Sequence, residues 1–129
     1  MKNILLAGLL LLTSFPAFAS EVAGLSFVGA ISEENHVGVP FTSQPILALT
    51  DEKGEVISTD NTSVVEIFMI GDDGTNKLSG TTMQTAVNGV VSFSNLAPTA
   101  AGEGFHFTAE VLGTDGKTSA HSEMFDVQE

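Results

Sequence analysis

Helical spacing of apolar residues never persists in this chain. From Leu25 onward, short runs alternate apolar with polar residues, and Gly, Asn and Asp clusters interrupt them about every ten residues. This punctuation predicts an all-β protein. The expected strands are Leu25 to Ser32, Pro45 to Asp51, Ser63 to Ile70, Leu78 to Val87, Val90 to Leu96, Gly104 to Leu112 and Thr118 to Val127. Seven strands of this length in one domain predict a two-sheet antiparallel sandwich.

The alternation also assigns the faces. Between Gly104 and Leu112, Phe105, Phe107, Ala109 and Val111 fall on one side, and His106, Thr108 and Glu110 on the other. Val91 and Phe93 likewise oppose Ser92 and Ser94. In Ser63 to Ile70 the charge of Glu66 sets the register and sends Val65, Ile67 and Met69 inward. Leu25 and Phe27 at the start, with Phe125 and Val127 at the end, are expected to close the core.

Asn88-Gly89 supplies two positions tolerant of positive φ, which predicts a two-residue type I′ turn acting as a hairpin joint. Asp115-Gly116 is read the same way between the last two strands, and Asp73-Gly74 as part of a longer loop. The segment AGEG, Ala101 to Gly104, predicts a crossing between sheets. It does not suit a phosphate, since no helix follows to supply a dipole.

Ahead of the strands, Lys2 precedes an apolar run from Ile4 to Leu12, then Pro16 and the A-x-A pattern Ala17-Phe18-Ala19. The run is too short to cross about 30 Å of hydrocarbon and reads as a secretory signal peptide, residues 1–19. Residues 20–129 then form a single domain, exported to the periplasm, medium or cell surface, with no membrane insertion after cleavage. The formal charge of −12 becomes about −13 once Lys2 is removed. Lys53, Lys77 and Lys117 are then the remaining strong bases, and arginine is absent. Such a surface repels nucleic acid and anionic membranes, because binding either requires clustered Lys or Arg. Exported domains without cysteine are more typical of bacterial envelope or extracellular proteins than of animal secreted modules.

Several segments, PILALTDEKGEVIS, LSGTTMQTAVNGVVSFSNL, AGEGFHFTAEV and MFDV, keep an order and spacing that resemble the bacterial immunoglobulin-like repeat domains of invasin- and intimin-like surface and secreted proteins. The resemblance covers nearly all of the mature chain. It implies an immunoglobulin-like sandwich used in cell adhesion, as a display element or as a spacer, and not an enzyme. Phe105 stands where such domains frequently carry tyrosine, and Glu55 where they often carry asparagine.

No catalytic constellation stands out: cysteine is missing, there is no G-x-S-x-G, and no two acids are singled out among sixteen. In IGDDGTNK, Asp72, Asp73 and Asn76 offer oxygens suited to calcium, although the spacing departs from the D-x-[DN]-x-[DN]-G loop and equally serves turn formation. Asp51 is expected to accept backbone hydrogen bonds in the turn it opens. His36, His106 and His121 read as solvated polar positions. His106 and His121 become neighbours if the last two strands pair, which would permit a two-histidine surface site.

The register leaves Val64, Phe68 and Ile70 facing outward around Glu66, with Met124 adding to them from the last strand. An apolar patch on an acidic exported domain suggests a partner surface for protein or carbohydrate. Two alternatives of a different kind stay open. One is a structural subunit that self-assembles by strand addition at a sheet edge, and the other is a calcium-stabilised spacer.

Overall fold

The computed structural model describes residues 21–129; the expected signal peptide, residues 1–19, lies outside the described residues. The described chain is all-β. Its strands are β1 (Gly24–Val28), β2 (Ile46–Thr50), β3 (Val64–Ile70), β4 (Leu78–Ser79), β5 (Met83–Thr85), β6 (Val90–Ser92), β7 (Ala97–Pro98), β8 (Gly102–Val111), β9 (Ser119–His121) and β10 (Phe125–Val127). A three-stranded sheet runs β1-β2-β6. A larger sheet runs β10-β8-β3-β5, with β9 also paired to β8, and β4-β7 form a short ribbon. Every strand pair is antiparallel. Both sheets feed one apolar core, so the architecture is a β-sandwich.

The parity read from the sequence holds in the central strands. Val65, Ile67 and Met69 of β3 are fully buried, and Phe105, Phe107, Ala109 and Val111 of β8 are buried with them. From the smaller sheet, Val91 of β6 and Phe93 just after it also point into the core. Leu25, Phe125 and Val127 close the core as expected, with Phe27 half-buried beside them. Phe107 is the hub: its ring lies 4.8 Å from that of Phe125, 5.2 Å edge-on from Phe41 and 6.3 Å from Phe27.

Phe41 reaches this cluster from residues 29–45, a connection that polar side chains pin down. Asn35 Nδ2 donates to the carbonyls of Ser32 and Asp126, at 3.1 and 3.0 Å. Its Oδ1 is buried without a hydrogen-bond partner among the described residues. The backbone beside it forms a parallel bridge between His36 and Gln128. Gln44 clasps Leu96 from both sides, donating to its carbonyl and accepting from its N–H. These bonds tie the long loop to Leu96 and to the C-terminal segment.

Several expectations are corrected. The Asn88-Gly89 turn has positive φ at both residues, 53° and 81°, and Val87 and Val90 exchange both backbone bonds across it. The turn chemistry is as expected, but it is not the joint of a strand hairpin: β5 belongs to the larger sheet and β6 to the smaller, so the turn is a corner between layers. Gly89 is tied to β2 and to the connection after it, accepting from Leu49 N–H and donating to Asp60 O.

Residues 101–104, conversely, are not a crossing. β8 already begins at Gly102, and its irregular start absorbs a register shift against β10. The expected run from Leu78 to Val87 is split at Gly80 (φ 108°), where the chain leaves the β4-β7 ribbon to join β3. The last expected strand is also broken, at residues 122–124. There Ser122 Oγ takes the Phe107 N–H and turns to donate to the Glu123 carbonyl. Such an interruption blunts a sheet edge against unwanted pairing.

Candidate functional site

The outer face of the larger sheet is built by the register of β5, β3, β8 and β9. Val64 lies opposite Thr85, and its carbonyl accepts from Leu112 N–H. Glu66 lies between Met83 and Glu110, with Ser119 beyond. Phe68 lies opposite Thr108 and then His121, and Ile70 opposite His106.

Val64, Phe68 and Ile70 are half-buried, because lateral neighbours shield their flanks, while Met83 and Leu112 expose 48% and 40% of their surface. Met124, 75% exposed, sits just before β10 with its sulfur over Gly104. It therefore belongs to the same face but lies across β8 from Ile70, with His106 between them. The face is a checkerboard of apolar groups, carboxylates and imidazoles, not a continuous oily patch.

Glu66 and Glu110 are directly opposite on adjacent strands. Like charges so placed cost up to about 1 kcal/mol. Among the described residues the one salt bridge is Lys77 to Asp73, so no lysine offsets this pair.

Leu112 is legible in the sequence as an outward position at the end of the alternating run, and it adjoins the expected patch at Val64. Met83 is not legible, since its place beside Glu66 depends on β5 choosing β3 as its partner.

The two histidines do come together: His106 and His121 have ring centroids 5.6 Å apart on this face, and His121 Nδ1 lies 3.2 Å from the Thr108 hydroxyl. His36 is remote in sequence and position, near the Glu129 carbonyl.

The oxygens considered for calcium are engaged in their own turn. Asn76 Oδ1 accepts the Met69 N–H, Asp73 Oδ1 accepts from the amide and hydroxyl of Thr75, and Asp73 Oδ2 meets Lys77 Nζ at 3.0 Å. The Thr75 amide, the Lys77 ammonium and the Thr75 hydroxyl hold the Asp73 carboxyl well below the usual range, at about 2. Asp72 is exposed beside it. Asp51 accepts the N–H groups of Lys53 and Glu55, as expected. Asp60 organises its own turn in a similar way. Burial opposes its ionisation, but bonds from the Ser63 hydroxyl and the Ser63 and Thr62 amides outweigh that and lower its pKa.

A second surface feature is an open groove of about 960 Å³ between β1 and the β9–β10 edge. Leu25, Phe27 and Phe125 line it, with Glu33, Glu123 and Asp126 also in its wall. Among the described residues no helix is long and apolar enough to cross a membrane. Comparison of the chain with family models and with curated proteins gives no match.

Proposed function

We propose that the protein is an exported, non-enzymatic, immunoglobulin-like binding or adhesion module whose partner, a protein or a carbohydrate, docks on the outer face of the larger sheet. The strand order supports the immunoglobulin-like part of this reading. β1-β2-β6 facing β10-β8-β3-β5 corresponds to strands A-B-E facing G-F-C-C′ in a Greek-key sandwich.

The observation that carries the binding role is the composition of the face. Met83 and Phe68 flank a carboxylate pair, Glu66 and Glu110, that a sheet selected for stability alone would avoid, and Ile70 extends the apolar contact along β3. Apolar contacts would supply affinity, and the paired charges would reject acidic partners.

Capture from periplasm or culture medium tests this with variants on opposite sides of the stability scale. Phe68→Ser and Ile70→Ser keep the fold, at a cost of about 1 kcal/mol for a half-buried side chain, and lose partner capture. Glu110→Lys gains up to about 1 kcal/mol by pairing with Glu66, and also loses capture. Partners retained equally by all three variants would remove the face from consideration.

The groove beside β1 favours a second reading, assembly by strand addition, since among the described residues β1 has a strand partner on one side alone. Light scattering at rising concentration separates the two: growth in mass supports assembly, and a constant monomer mass rejects it.

A further inference from the structure

We propose that His106 and His121 form a two-imidazole chelate for a borderline divalent transition ion of the zinc, nickel or copper class. Their strands hold them in place. His121 lies opposite Thr108 in the β8-β9 pairing, and His106 precedes Thr108 by one step of the same face, so the imidazoles are diagonal neighbours on a rigid ladder.

Their spacing suits an ion between them. With metal-to-nitrogen bonds of 2.0–2.1 Å, each ring centroid stands about 3.2 Å from the ion, and a tetrahedral angle separates the centroids by about 5.2 Å. The observed separation is 5.6 Å, within reach of small ring rotations about a soft terminal torsion.

Thr108 supplies the supporting contact. In the tautomer that carries its proton on Nδ1, His121 donates to this hydroxyl and its Nε2 lone pair is free to ligate. Among the described residues no group of three or more His, Cys, Asp or Glu side chains is arranged to hold a metal. The ion therefore keeps water in its other positions and stays open to a further ligand. The strongly acidic chain, of net charge −12, raises the local concentration of cations. Imidazole selects the ion class: calcium and magnesium prefer oxygen ligands.

Isothermal titration of the folded protein with Zn²⁺ alone tests the site, with Ca²⁺ as the hard-ion comparison. One equivalent of Zn²⁺ is expected to bind. His106→Ala and His121→Ala should each weaken it at least about tenfold, as loss of one arm of a chelate does. His36→Ala, away from the pair, should leave the titration unchanged, and melting curves confirm that all three variants remain folded. The proposal is overturned if wild type takes up no stoichiometric Zn²⁺, if either pair variant binds as wild type does, or if His36→Ala is as damaging as they are. The titration reads the ion alone, so its outcome is separate from that of partner capture.

Discussion

Phe107→Ala is expected to lower the free energy of unfolding by about 3–5 kcal/mol, the range for truncating a buried phenylalanine. Phe107 is 1% exposed and touches aromatic rings from three separate parts of the chain: Phe27 of β1, Phe41 of the long loop and Phe125 of β10. The cavity cannot collapse easily, because each of those rings is anchored by a different backbone. A domain of this size has about 5–15 kcal/mol in total, so the loss reaches about a fifth or more of it. Urea denaturation measures it as a fall in midpoint at nearly constant slope. A change below about 1 kcal/mol would mean that the aromatic cluster is not the centre of the core.

Gly89→Ala is the second large effect, and its cause is backbone geometry instead of burial of apolar area. The residue has φ of 81°, which costs an alanine about 1–2 kcal/mol. Its new Cβ would also collide with the carbonyl oxygen of Ile57. That carbonyl belongs to the same corner, where Ile57 N–H donates to Leu49 and Gly89 N–H donates to Asp60. Relief by movement would therefore break bonds to β2 of the smaller sheet and to the connection that leads into β3. A loss of at least about 2 kcal/mol follows, or a drop in melting temperature of about 8–16 °C. Asn88→Gly, at the neighbouring position with φ of 53°, should be tolerated. If both variants melt like wild type, the corner does not link the layers as described.

How much of this is legible in the sequence depends on the range of the interaction responsible. Side-chain parity in β3 and β8 is readable because alternate apolar positions must share a face, and Glu66 leaves one choice of register. The turn at Asn88-Gly89 is readable because positive φ is a local demand. What the turn joins is not readable: the same two residues serve a hairpin or a corner, and the partners of β5 and β6 are chosen by distant strands. The break at residues 122–124 depends on the Ser122 hydroxyl capturing a backbone N–H of β8, a contact with no signature in its own segment. Phe41 escapes notice for the opposite reason, lying in an irregular loop where no alternation marks an inward position.

The candidate face shows the same division. Parity alone places Val64, Phe68 and Ile70 outward, but their half-burial and the separation of Met124 by His106 come from neighbouring strands. The meeting of the two imidazoles requires the β8-β9 pairing that Asp115-Gly116 suggests.

The central claim is that β3 presents its even-numbered side chains as a free outer face while the odd-numbered ones are sealed between the sheets. The chain has no cysteine, so single cysteines introduced at positions 66, 67, 68 and 69 can be labelled without background. Native-state thiol labelling measures access at each position directly. Fast reaction at 66 and 68, with protection at 67 and 69, is the expected result. Protection at 68 with reaction at 67, or equal rates at all four, would contradict the assignment of faces and the binding surface built on it.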